Sequence, residues 1–450
     1  MGSDGDSRRP ASFSGRDFLR RSAFVAVIRI AGLFFVFALQ VILARLVDDG
    51  EQYGKYAWGQ SLMFLAGSLA CLGIPVITSR FIASLRAQRN EQGIANVVRT
   101  ANGLLLRSTG VLLLLALLVN LFWQGASGED NYRQVATLAL LLGPGIAFAY
   151  LYVDYCRARQ WLALALLPLN VVRPVVTGIL VYACWVLFEG ELSGDLVMGL
   201  AGTSVLAVLI PQVLIFHWRS RGIARLPSPP SVPADYHPSQ LFRTSLPVFV
   251  VRCASLTIRY SNVLLVGFLA GPAAAGAYFA AERLAQLASI PQSVVSTVNQ
   301  QSMAAAHATN NAAGLQKVTT LSAHGSLWPT LLIGIGLTVL ATPLLQLFGD
   351  DFPTARAALI ALAISNVIAV FMGPAQEVLI MTGRQRRIPR IMIICAVVHV
   401  AALCLLVPAL GALGAALSSV VSGLIGTVWL MIVAQKEAGI GTTVLGSLGK

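Results

Sequence analysis

Residues 245–269 read SLPVFVVRCASLTIRYSNVLLVGFL. About 20 apolar residues suffice to cross a bilayer, so this stretch reads as a membrane helix, yet Arg252 and Arg259 lie inside it. Seven residues on a helix return to within about 20° of the starting direction, which puts both guanidinium groups on one face. Ser245, Ser255 and Asn262 share that stripe, and the other faces are almost wholly Val, Leu, Ile and Phe. A charged side chain at mid-bilayer costs about 2.5–3.5 kcal/mol on insertion scales. Two on one face point to a hydrated cavity or an anion rather than to lipid.

The rest of the chain has the composition of that segment. Of 450 residues, 56% are hydrophobic and 11% charged, and the mean hydropathy is +0.74. Soluble domains carry about 25% charged residues, so a polytopic membrane protein is expected. The formal charge of +13 fits basic cytoplasmic loops; without a soluble basic domain to carry it, it does not indicate a nucleic-acid partner. Six cysteines lie within or at the ends of apolar stretches, with neither CxxC spacing nor a His/Cys cluster. They read as small packing residues, so neither disulfides nor a metal site is expected.

Twelve candidate spans follow, near residues 23–46, 56–84, 103–123, 135–156, 161–188, 195–217, 243–269, 277–305, 321–348, 355–382, 390–409 and 411–434. Loops rich in arginine (Arg86, Arg89 and Arg99, or Arg384, Arg386 and Arg387) alternate with acidic or neutral ones such as DDGEQ and EGELSGD. That alternation predicts twelve crossings with both termini cytoplasmic. The expected organisation is a cytosolic tail (1–22), a first lobe of six helices (23–217), a Pro-rich cytosolic linker (218–242), a second six-helix lobe (243–434) and a cytosolic tail (435–450). The fold class expected is therefore an all-α polytopic membrane protein, twelve transmembrane helices in two six-helix bundles around a central cavity. No predicted outside loop is long enough for a catalytic domain, and GxxxxGK[ST] does not occur, so a non-enzyme without direct ATP hydrolysis is expected.

An internal repeat supports the two lobes. Residues 53–57 read YGKYA and residues 275–279 read AGAYF. Superposing Gly54 on Gly276 also places Gln60 on Glu282 and leaves Arg29 one residue from Arg252. Both halves begin on the same side, as in repeats related by an axis along the membrane normal.

The motifs carrying this repeat also resemble a known family. LVDDGEQYGKYAWGQSLMFLAGSLACLGIPVITSRFIAS, LLVGFLAGPAAAGAYFAAERLAQLASIPQSV and FGDDFPTARAALIALAISNVIAVFMGPAQEVLIMTGRQRR are similar to successive segments of the polysaccharide branch of the multidrug/oligosaccharidyl-lipid/polysaccharide exporter superfamily. The resemblance implies two six-helix bundles and alternating access around a cationic cavity. It also implies an undecaprenyl-pyrophosphate-linked oligosaccharide, such as an O-antigen repeat unit of lipopolysaccharide, as cargo. The resemblance further implies a bacterial inner-membrane location, with membrane lipid, a polysaccharide polymerase and a chain-length regulator as partners. The related lipid II flippases have fourteen spans, and no additional pair occurs here.

Guanidinium groups suit a pyrophosphate because they stay charged and grip its oxygens in a fork. The candidates for headgroup and sugar are Arg29, Arg252, Arg259 and Arg283, with Gln40 (eleven residues after Arg29), Asn262 and Gln286. Glu282 lies on a polar stripe of span eight and reads as a cavity ion-pair partner or as a group for Na⁺ or H⁺ coupling; no other cofactor is expected. Arg173, followed by Pro174, reads as a kinked helix end whose side chain reaches the cytoplasmic surface. Arg45 is expected to pair with Asp48 or Asp49. Rival functions are a multidrug antiporter of the same architecture, whose cationic cargo favours an acidic cavity, and a membrane polymerase or ligase, which would need an outside domain.

Overall fold

The structure, a computed structural model, describes residues 15–47, 49–88, 90–122, 132–224, 238–309 and 311–444. Most of the Pro-rich connector lies outside the described residues, as does Asp48. The described chain is helical throughout. The first half comprises α1 (Gly15–Val47), α2 (Gly50–Ala70), α3 (Ile74–Ala87), α4 (Glu91–Phe122), α5 (Arg133–Ala158), α6 (Leu162–Leu167), α7 (Arg173–Leu187) and α8 (Gly194–Ala224). The second comprises α9 (Pro238–Ala270), α10 (Pro272–Leu287), α11 (Ile290–Ala308), α12 (Ala312–Val339), α13 (Ala341–Gln346), α14 (Arg356–Phe371), α15 (Ala375–Met381), α16 (Ile388–Leu410) and α17 (Ala412–Ala438).

Among the described residues, nine helices are long and apolar enough to cross a membrane, or ten when α2 and α3, bent by 49°, count as one crossing. The sequence-based expectation was twelve. The difference falls on predicted spans eight and nine. Both are helical, but α10 and α11 carry Glu282, Arg283, Gln286 and a run of serines, and the first half of α12 carries Lys317 and His324. In α10 and α11 those polar faces lie against other helices, whereas the second half of α12 is apolar and exposes Leu332, Ile335 and Val339.

Two interruptions shape the first half. The α2–α3 bend follows Leu72 (φ +48°) and Gly73 (φ +71°), with Pro75 in the first turn of α3. A left-handed residue ends one helix, and the proline fits the open first turn of the next. Between α6 and α7, Pro168–Val172 forms a π turn, closed by the Arg173 N–H donating to the Pro168 carbonyl five residues back. Pro174 lacks an N–H, so the ladder cannot continue as a regular α-helix there.

The halves meet most closely where α2 packs on α10. Gly54 lies against the Pro272 carbonyl and the Gly276 amide, and Gly276 against Gly50 and Gly54. Around that contact, Trp58 Nε1 donates to the Leu264 carbonyl at 3.0 Å and the Tyr132 hydroxyl to the Gly267 carbonyl at 3.0 Å. Tyr53 packs its ring on Phe279 and Phe352. Arg45 donates through Nε to the Leu347 carbonyl at 2.9 Å and also to the Gln346 carbonyl. It thus clips α1 to the end of α13, while Asp49 instead caps α2 by accepting from the Glu51 amide.

At the chain's far end, Ile440 and Val444 are buried and Gln316 exchanges two hydrogen bonds with Gly441, 2.8 and 3.0 Å. Part of the predicted C-terminal tail is therefore packed against the second half.

Candidate functional site

A cavity of about 570 Å³ lies between the halves, walled by α1, α2, α3, α5, the α6–α7 break, α9 and α10. It runs from a floor at Gln40 and Gln60 to Ser79 and Arg157 at the arginine-rich end. A second space of about 850 Å³ adjoins it along Arg252, Arg259 and Tyr260 and reaches Arg80 and Arg386. Among the described residues, the first is lined by Arg157, Arg173, Arg252, Arg259 and Arg283 against a single carboxylate, Asp154. Asp154 is taken up by Arg157 of its own helix at 3.1 Å. The remaining four arginines form no ion pair within 4 Å among the described residues.

Arg173 is the most deeply held of them. It is 7% exposed, and among the described residues its Nε and Nη1 have no hydrogen-bond partner. The sequence reading sent it to the surface; the structure places it inside. The predicted kink exists, but it sits within the bundle and turns Arg173 toward the cavity. The available signal was its central position in the 161–188 span.

In place of carboxylates, the arginines have aromatic faces. Arg173 lies 4.9 Å from the Phe64 ring centre, Phe64 stacks on Tyr260 (6.4 Å, 6° between planes), and Arg259 lies 5.7 Å from the Tyr260 ring. A guanidinium–phenyl–phenol–guanidinium ladder thus crosses from the first half to the second. Arg283 lies 4.2 Å over Phe279 and donates to Gln286 Oε1 at 3.0 Å, while its Nε has no partner among the described residues. A ring face returns about 0.5–2 kcal/mol to a cation, far less than the several kcal/mol lost on burying it. A ring face also takes up none of the in-plane N–H donors, so the site is cationic and short of acceptors.

The other residues singled out in the sequence divide. Arg252, Arg259, Arg283, Gln286 and Gln40 all line the cavity. Gln40, however, is 1% exposed and engaged in its floor: its amide donates to Tyr56 at 3.2 Å and accepts from Tyr53 at 3.1 Å, and Gln60 donates to Tyr56 at 2.6 Å. Arg29 is exposed, one turn from Leu33 on the stripe that continues through Val36 and Gln40, and falls outside the cavity wall. Asn262 is not brought to the cavity. It is 5% exposed and hydrogen-bonds Ser419 of α17 at 3.1 Å, because its side of α9 faces the second half's interior. Glu282 lies within electrostatic reach of Arg283 and Arg259, outside the wall itself. His399 is buried packing, bonded to Ser422 at 2.9 Å.

A helical membrane fold with a cation-lined chamber between two halves sealed at one end defines a transporter-like architecture, and comparison with known proteins agrees. The chain belongs to the polysaccharide biosynthesis protein family, whose model matches residues 18–304, a family of the MOP superfamily to which flippases belong.

The fold is similar to that of a multidrug resistance MATE family transporter of the MOP superfamily in an inward-facing conformation (TM-score 0.70, 16% identity, 91% of this chain and 98% of that one). It is equally similar to that of lipid II flippase MurJ, inward closed (0.69, 17%, 93% and 87%). A MOP superfamily transporter from Pyrococcus furiosus, described by a reverse polarity of its binding pocket, also matches (0.58, 16%, 92% and 96%). No curated protein matches the chain in sequence.

Proposed function

We propose that this protein is a flippase carrying the pyrophosphate headgroup and sugars of an undecaprenyl-linked oligosaccharide, an O-antigen or other exported repeat unit, across the bacterial inner membrane. Twelve crossings in two six-helix bundles, with both termini cytoplasmic, place the arginine-rich mouth at the inner leaflet by the positive-inside rule. The observation that carries the reading is Arg173, buried with two unpartnered nitrogens beside Arg252, Arg259 and Arg283. Such a group is costly when empty and is satisfied by an anion.

In this reading the lipid tails stay in the bilayer while the headgroup enters from the inner side. Arg173, Arg252, Arg259 and Arg283 take the phosphate oxygens, and loss of the Gly54–Gly276 contact opens the opposite end. An inside-negative potential opposes outward movement of positive charge by about 2.3 kcal/mol per charge per 100 mV, so a neutralising anion lowers the barrier. Glu282 offsets part of the arginine charge and is the candidate for H⁺ or Na⁺ coupling. Cationic cargo of the multidrug kind fits this lining poorly, since it would meet four unpaired arginines.

The test is lipid-linked oligosaccharide in cells carrying Arg173→Ala or Arg259→Ala. The expected result is accumulation on the inner leaflet and loss of exported polymer, with Arg259→Lys retaining part of the function. Normal export by both alanine variants would sink the reading. A polymerase or chain-length regulator downstream would see only the flipped product.

A further inference from the structure

A third space, about 430 Å³, lies away from the central cavity, in the first half between α4, α5 and α8. Arg99, Arg159 and Arg221 line it, with Glu91, His217 and Ser220. Arg159 is 7% exposed and held by both oxygens of Glu91 (2.7 and 3.0 Å); among the described residues its Nε has no hydrogen-bond partner, and neither has the buried Ser220 hydroxyl. His217 is fixed through Nε2 by the Tyr152 hydroxyl at 3.0 Å, which leaves its other ring nitrogen for a ligand. Even with Glu91 counted, three guanidinium groups face one carboxylate. The free groups are chiefly donors, as a phosphate requires.

The surface leading away from this pocket says where that phosphate comes from. Leu106 follows Arg99 by seven residues on α4, and Leu214 and Ile210 precede His217 by three and seven on α8, so each continues the face its pocket residue occupies. They are 65%, 64% and 58% exposed, and Trp218 beside them is 74% exposed. Both helices are apolar enough to cross the membrane. A basic pocket at the end of an exposed apolar stripe matches a lipid, with its headgroup in the pocket and its chains along the stripe.

We propose that this pocket is a binding site for an anionic phospholipid headgroup of the leaflet at the arginine-rich end, separate from the transport cavity. Arg99 and Arg221, both exposed at the rim, close on the phosphate, while Arg159 and Ser220 supply donors at its base. Such a lipid would hold α4 against α8 at one end of the first half.

The experiment uses the full chain in neutral detergent, titrated calorimetrically with dioctanoyl phosphatidylglycerol, dioctanoyl phosphatidylcholine or inorganic phosphate. Phosphatidylglycerol is expected to bind, and Arg99→Ala or Arg221→Ala each to weaken it about tenfold, the usual scale for one charge-assisted contact. Arg107→Ala, an exposed arginine of α4 outside the pocket, is expected to leave it unchanged. Arg173→Ala separates the two sites: binding lost there and kept in Arg99→Ala belongs to the central cavity and overturns the proposal. Equal affinity for phosphatidylcholine, or inorganic phosphate binding as tightly as the lipid, overturns it as well.

Discussion

Gly54 and Gly276 occupy equivalent positions in the two halves of the sequence and lie against each other across the interface between them. Residues related by a pseudo-twofold axis meet their own equivalents only on that axis. The repeat motif is thus the seal at which the two halves touch, and the cavity occupies the space beyond it. A side-chain carbon on Gly54 would collide with the Pro272 carbonyl oxygen, and one on Gly276 would come within 2.9 Å of the Gly50 carbonyl.

Gly54→Ala is therefore expected to part α2 from α10 and disfavour the sealed state. Spin labels at Glu51 and Ala273, both exposed beside the seal, should shift to longer separation. An unchanged distance distribution would mean that the seal does not depend on this contact.

Arg173→Met should separate stability from function. Removing a buried, unpaired charge is expected to raise the ligand-free protein's stability by about 1 kcal/mol or more, read as a higher melting temperature in detergent, while export falls. A fall in both would mark Arg173 as a structural residue.

Phe64 serves two partners, the Arg173 guanidinium and the Tyr260 ring. Phe64→Leu keeps the apolar volume and removes the ring face, worth about 0.5–2 kcal/mol. Affinity for the lipid-linked substrate should drop about three- to tenfold with the fold intact, measurable by native mass spectrometry of the loaded protein.

In the cavity floor, Tyr56→Phe leaves the Gln40 and Gln60 amides without their shared acceptor. The expected loss is about 1–3 kcal/mol of stability, the cost of unsatisfied buried polar groups. Denaturant unfolding of the purified variant measures it.

Arg45→Ala removes the clip between α1 and the end of α13. A cysteine placed near the seal is expected to gain access to a water-soluble thiol reagent. Labelling equal to that of the unmodified background would show that the aromatic contacts of Tyr53 close this end unaided.

Most of the helical segments were legible in the sequence because apolar length and loop charge are local properties. Predicted span eight departs from the apolar standard because burial among other helices lets α10 and α11 keep polar faces, and span nine because the first half of α12 carries Lys317 and His324. The Arg252–Arg259 stripe was legible too, since seven residues restore a helix face whatever surrounds it. Asn262, three residues after Arg259, sits about 60° round the helix from it, and that offset is enough to set it against Ser419 rather than in the cavity. Arg29 shares the face of Gln40 and still falls beyond the cavity wall, because shared direction does not imply shared depth.

By itself, then, the sequence determined an all-helical membrane chain, its internal repeat, and an excess of arginine within apolar spans, all of which follow from periodicity and composition along one chain. The tertiary structure alone decided that Gly54 meets Gly276, that Phe64 and Tyr260 bridge Arg173 to Arg259, and that a break before Pro174 turns Arg173 inward. The reason is physical: a helix presents a face in every direction, and only the packing of several helices sets which face meets lipid, which meets protein and which meets the cavity.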